Sequence, residues 1–173
     1  GIIMAINFSG GEQTSTSVPL QVKYNIKKDT ASRSGAYGNI SGFSVTITPS
    51  STNSKFLIMV SLHGQGNSGQ RMYFGLRRYR ASDNSNVEGD FNGDGSGSRT
   101  RAIGSQYPQG GNSQHSMHYA TIDVPNTTGD VTYSPLIGAE GSNPFYLNRS
   151  RDDSDSGTVH RTASSIIVME FGS

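Results

Sequence analysis

Asp90, Asn92 and Asp94 set three oxygen-bearing side chains at alternate positions ahead of Gly95, the spacing with which a calcium loop begins. The back half does not follow: counted from Asp90, the position that should carry a bidentate glutamate is Arg101. Two carboxylates from one loop make a weak site at best, so no metal is expected, and the segment reads equally as an Asn/Asp/Gly turn. Asp152, Asp153 and Asp155 form a second acidic group, read as a solvated hairpin tip. His63, His115, His118 and His160 could serve as metal ligands or a general base. In a strand, however, His115 and His118 point to opposite faces and cannot grip one ion together. The sequence has no cysteine, which excludes a disulfide scaffold, a thiolate metal site and a cysteine nucleophile. It also has no nucleophile elbow, phosphate-cradling glycine loop or zinc-protease helix. No catalysis and no cofactor are expected, and a carbohydrate-degrading activity would lack an identifiable acid/base pair.

Aromatic residues offer recognition in place of reaction. Among eight tyrosines and seven phenylalanines, Tyr73 and Tyr79 share a strand face with Arg77, while Tyr107 and Tyr119 flank polar loops. An exposed ring with amide neighbours can stack on a sugar. The plainer alternative is tyrosine at sandwich edges and subunit interfaces with its hydroxyl in water. Arg77, Arg78 and Arg80 are the densest basic group, but they are spread over both sides of a strand. With 14 Lys and Arg against 13 acids, a nucleic-acid partner is not expected.

The elements that would carry these residues are strands. A chain of 173 residues fits one domain, and no window keeps a helical period. Only 32% of it is apolar, but the net charge is +1 and the apolar residues gather into short β-branched runs. Alternation predicts strands over residues 2–8, 20–26, 43–48, 55–63, 70–79, 99–103, 114–124, 131–139, 144–148 and 165–171. The predicted fold is an all-β antiparallel sandwich. Residues 43–48 are apolar on one face only. Two other strands are apolar on both: Phe56, Ile58, Val60 and Leu62 are backed by Leu57 and Met59, and Ile166 and Val168 by Ile167, Met169 and Phe171. Such strands need a second cover, either loops folded over them or another subunit; the subunit is preferred, which makes Leu57, Met59, Ile167, Met169 and Phe171 the expected interface. Residues 9–17, 83–98 and 108–113 are Gly-, Ser- and Asn-rich loops, and the middle one is long enough to be functional or mobile. The longest apolar stretch, residues 56–62, is too short for a membrane helix, and residues 1–6 lack the features of a signal peptide, so no membrane insertion is expected.

The segment SGFSVTITPSSTNSKFLIMVS, residues 41–61, resembles the C-terminal modules of tail-fibre and virion structural proteins of tailed phages, particularly marine ones. Further fragments match in the same order: GSRTRA (97–102), VPNTTGDVT (124–132), YLNRSRDDSDS (146–156) and TASSIIVME (162–170). The resemblance implies a jelly-roll sandwich of the tumour necrosis factor-like type, trimeric about an axis lined by one sheet of each subunit. It further implies a location on the virion exterior, on capsid or tail appendage. Residues 41–173 would form the jelly-roll core, with residues 1–40 supplying N-terminal strands and an attachment region continuous with it in a single domain. Met4 reads as a natural start, or Gly1 as a cut from a longer fibre. The expected partners are two further copies of the chain, other virion proteins, and a host surface glycan or protein. Tyr107, Asn92, Asp94, Asn112 and His115 are the candidate receptor-contacting residues. The alternative is a capsid- or tail-bound decoration or assembly protein without a receptor. Asn39, Asn126 and Asn148 lie in Asn-X-Ser/Thr triplets that would carry no glycan in a bacterial virus.

Overall fold

A computed structural model describes residues 18–67, 69–108 and 114–172. In chain order the strands are β1 (Gln21–Lys27), β2 (Ala31–Arg33), β3 (Gly38–Asn39), β4 (Val45–Ile47), β5 (Lys55–Gln65), β6 (Met72–Arg80), β7 (Ser85–Val87), β8 (Gly104–Gln106), β9 (His115–Asp123), β10 (Val131–Ala139), β11 (Phe145–Leu147) and β12 (Ser164–Phe171). All pairings are antiparallel. One sheet runs β1-β12-β5-β9, with β11 and β2 continuing from the far end of β5. The other has β10 beside β6; β4 and β3 share the outer edge of β10, and β7 and β8 share the outer edge of β6. Without the short β2, β3, β8 and β11, the order is β1-β12-β5-β9 against β4-β10-β6-β7. First and last strands lie side by side in one sheet, as in a jelly roll.

Alternation builds the core between the sheets. Phe56, Ile58, Val60, Leu62, Ile166 and Val168 face Phe74, Leu76, Val131, Tyr133 and Ile137, all buried, and Phe43, Val45 and Ile47 close one side. Phe74 and Phe145 meet edge to face with centroids 5.6 Å apart. β10 tolerates Pro135 because the pairing with β4 ends at Tyr133 and that with β3 begins at Leu136, so the missing N–H falls at the gap. Asn148, the asparagine of the third triplet, is buried. Its amide donates to the Lys27 carbonyl at 2.8 Å and the Asp29 carbonyl at 3.0 Å and accepts from the Ser164 hydroxyl at 2.6 Å, tying the start of β12 to the turn after β1.

Gly64 is the tightest point of the first sheet. A Cβ there would stand 2.2 Å from the Tyr146 carbonyl oxygen and 2.6 Å from the Phe145 ring, so β11 could not approach β5 past any side chain. Gly64→Ala is therefore expected to lower stability by about 1–3 kcal/mol in urea denaturation, and a loss below about 0.5 kcal/mol would show that β11 yields freely.

Several expected elements shift. The strand predicted over 99–103 is displaced to β8, because Arg99, Thr100 and Arg101 offer nothing to the core and only Ile103, whose N–H donates to the Phe74 carbonyl at 2.9 Å, joins the sheet. The long loop over 83–98 is not one open excursion: it holds β7 and a 3-10 turn at Gly89–Phe91, and Phe91 packs against the core. β2, β3 and β7 were not predicted; two or three polar residues give no periodicity to detect. Within residues 1–40, β1, β2 and β3 are integral members of the two sheets, while the strand predicted over 2–8 and the loop over 9–17 lie outside the described residues.

Candidate functional site

Two surfaces stand out, one on each sheet. On the outer face of the first sheet, register assembles rows of apolar side chains. Val22, Met169, Leu57 and Ile122 form one row across β1, β12, β5 and β9; Tyr24, Ile167, Met59 and Ala120 form the next. The five expected interface residues Leu57, Met59, Ile167, Met169 and Phe171 all lie on this face and are half-buried, and no layer among the described residues covers them. At the margins exposure is greater: Tyr24 is 68% exposed and Ile122 59%. A shallow depression of about 380 Å³ lies between Met59, Ser61, His118, Ala120, Ser165 and Ile167.

This face turns polar at one end. Ser61 is opposite His118 and His63 opposite Ser116, so the rings of His63 and His118 meet edge to face with centroids 5.4 Å apart. His63 Nε2 shares a hydrogen bond with the Ser61 hydroxyl at 2.9 Å and Nδ1 one with the Ser116 hydroxyl at 2.8 Å. Partial burial, with His118 as a second influence, holds the His63 imidazole below its usual pKa, favouring the neutral ring.

The second surface is a groove of about 590 Å³ beside β6 and β8. Arg71, Tyr73, Asp94, Arg99, Arg101 and Glu140 line it, together with glycines and hydroxyl-bearing residues. Arg71 is held by Glu140 through Nη1 at 3.2 Å and lies 5.9 Å from the centre of the Tyr107 ring. Arg99 is fixed through Nη1 to the Ser96 hydroxyl at 2.6 Å, and Arg101 Nε donates to the Gly93 carbonyl at 2.8 Å.

The structure sorts the predicted contact residues. Asp94 lines the groove and Tyr107, 53% exposed, stands beside it through Arg71. Asn92 is half-buried, its amide oxygen enclosed near Gly75 without a described partner. His115 is on the inward-facing side of β9 and its Nε2 is buried, so it is turned away from the groove and, as expected, from His118. Asn112 lies outside the described residues. Asp90 is in the 3-10 turn, 3.7 Å from Arg78, a cation where a calcium site would need more oxygen, and among the described residues no three His, Asp or Glu side chains gather to hold a metal. In the expected hairpin tip Asp152, Asp153 and Asp155 are exposed, and Asp153 pairs with Arg161 at 2.6 Å. Tyr73, Tyr79 and Arg77 do share the outer face of β6. Tyr119, expected to flank a loop, is a correction: it faces the sandwich interior and its hydroxyl donates to the Gly75 carbonyl at 2.9 Å. Arg71, Arg99 and Arg101 escaped the sequence reading, although arginines two apart in a Gly/Ser-rich segment were a visible signal.

The protein is thus an antiparallel β-sandwich of jelly-roll order with an apolar face on one sheet that no other described residues cover and an arginine-lined groove on the other. No protein-family model matches the chain, and no curated protein sequence matches it. Among solved structures it is similar to the VP2 subviral particle of infectious bursal disease virus, with a TM-score of 0.49 and 11% identity over 98% of this chain and 37% of that one. T=1 particles derived from the same virus give 0.44 and 11%, over 97% and 40%, and its Gx strain gives 0.44 and 9%, over 97% and 44%. The chain spans less than half the length of each. Likeness at this level assigns neither family nor function.

Proposed function

We propose that the chain is a virion structural module that associates as a trimer through the outer face of its β1-β12-β5-β9 sheet and turns its loops toward the host surface. The observation that carries this reading is the face itself, apolar across four strands and without a cover among the described residues. Two adjoining rows of mainly large apolar side chains cross all four strands, and exposed contiguous patches of this kind mark association surfaces. The occupant best matched to it is another copy of the chain. Its centre is uncharged, with Lys55 at one end and the histidine pair toward the other, so like faces meet without charge repulsion. The collinear resemblance to phage fibre modules supports the same arrangement and supplies the virion setting.

Analytical ultracentrifugation at about ten micromolar tests it. Three copies are expected for the unaltered chain and one for the double variant Met59→Glu, Ile167→Glu, whose cooperative thermal unfolding should persist because neither side chain enters the core. A wild-type monomer would remove the trimer. For host contact, Asp94→Lys together with Tyr107→Ala, both at exposed positions outside the core, should reduce adsorption of the particle to its host; unchanged adsorption would leave a structural role without a receptor.

A further inference from the structure

We propose that the groove between Arg71, Tyr73 and Arg101 binds an acidic oligosaccharide, one bearing carboxylate or sulfate groups on its sugar rings. The inference rests on the host-contact reading above and names the ligand chemistry and the site. Three arginines line one groove with only two carboxylate residues, Asp94 and Glu140, among its lining. Two of these guanidiniums are held from one side. Arg71 uses Nη1 for Glu140 and Arg99 uses Nη1 for Ser96, and neither has a bond from its remaining nitrogens to a described residue. Anchored, planar and charged, they present the fork that suits a carboxylate or sulfate, with less rotamer entropy left to lose.

A simple anion would not use the rest of the site. Tyr73 is braced edge to face by Tyr37, with centroids 6.1 Å apart, and supplies an aromatic wall on which a sugar ring can stack. Tyr107, beside Arg71, adds a second exposed ring at that end. Ser98, Thr100 and Ser105 offer hydroxyls that both donate and accept, and Asp94 accepts from sugar hydroxyls. The groove, at about 590 Å³, is within the range of small-ligand sites. Charge, aromatic wall and hydroxyls together describe a charged saccharide and not a protein segment, which would ask for an apolar pocket in the groove.

The test titrates the purified protein by calorimetry with an oligouronate hexamer, a neutral maltohexaose and inorganic sulfate. Saturable binding of the oligouronate is expected, at least about tenfold tighter than either control. Arg99→Ala and Tyr73→Ala should each weaken it by about tenfold or more, while Arg99→Lys, retaining charge without the fork, weakens it less. Arg99 is exposed and outside the core, so its variants should keep the wild-type thermal unfolding transition. Equal affinity for sulfate or for the neutral sugar, or no effect of Arg99→Ala, overturns the proposal. Adsorption separates it from the reading on which it rests. Loss of oligouronate binding in Arg99→Ala with unchanged particle adsorption keeps the saccharide site and removes host contact. Absence of oligouronate binding, with adsorption lost in the variant Asp94→Lys with Tyr107→Ala, does the reverse.

Discussion

Asp123→Ala is expected to destabilise the fold by about 3–5 kcal/mol, as removal of one partner of a buried ion pair does elsewhere. Asp123 ends β9 in the first sheet and Arg78 lies in β6 of the second, so their contact at 2.5 Å joins the sheets through the edge of the core. Both side chains are more than nine-tenths buried. The other Asp123 oxygen accepts from the Tyr133 hydroxyl at 2.7 Å, and burial, reinforced by the Asp123 charge, pushes that hydroxyl far above its usual pKa, so Tyr133 stays a donor. Alanine at 123 leaves the guanidinium with only the more distant, exposed Asp90 at 3.7 Å and leaves the tyrosine hydroxyl without its acceptor. The ladder itself need not be strong in net terms, since desolvation opposes the attraction. A paired replacement, Arg78→Met with Asp123→Leu, should therefore recover much of what Asp123→Ala loses. Urea unfolding measures all three, and a loss under about 1 kcal/mol for Asp123→Ala would show that water reaches and solvates the guanidinium.

Glu170→Gln should cost about 2 kcal/mol at neutral pH, and the difference from wild type should shrink in acid. Glu170 is fully buried near the end of β12 among donors: the Ser50 N–H at 2.7 Å, the Ser50 hydroxyl, and the Gln21 amide at 2.5 Å. Burial alone would raise its pKa. The hydrogen bonds from Ser50, Ser54 and Gln21 outweigh that and hold the carboxyl below its ordinary value of 4.5. Because the folded pKa is depressed, the contribution is complete above the unfolded value and disappears as pH falls from there through the folded one. Glutamine keeps the shape but cannot offer two acceptor oxygens to these donors. Stability measured from pH 7 down to pH 2 should show the wild-type and variant curves converging below about pH 4.5; parallel curves would mean that the Glu170 pKa does not change on folding.

Legibility in the sequence followed the length and patterning of each strand. The alternation places β10 residue for residue, and β5 and β12 to within two residues, because each carries a run of large apolar side chains: Phe56–Val60 in β5, Ile166–Met169 in β12, and Val131, Tyr133, Leu136 and Ile137 in β10. The same strands gave the outer face, since apolar residues at both parities are visible without coordinates. Its width was not visible. Val22, Tyr24 and Ile26 of β1 and Ile122 of β9 extend it, and only the register across four strands brings them beside Leu57 and Met59. The His63–His118 contact was hidden for the same reason: the two residues are far apart in sequence and meet through antiparallel pairing of β5 with β9. For the groove, Asp94 and Tyr107 carry a signal in the sequence, while Asn92 and His115 turn inward and Arg71, which lines the groove beside Tyr107, carries no local motif. Loop residues are placed by tertiary packing, and alternation says nothing about where they end.

The apolar face belongs to one sheet, while the groove is built from β6, β8 and their neighbouring loops on the other. Copies joined through the first sheet, as proposed, would leave every groove open and hold several of them at a fixed spacing. A repetitive polymer meeting such an array binds its second and third sites intramolecularly, at an effective concentration far above that in bulk. Linked modest sites can gain about 10²–10⁴ in avidity without any new contact. Weak single-site affinity would then be an asset: each groove lets go readily, and the assembly can move along a surface while staying attached to it.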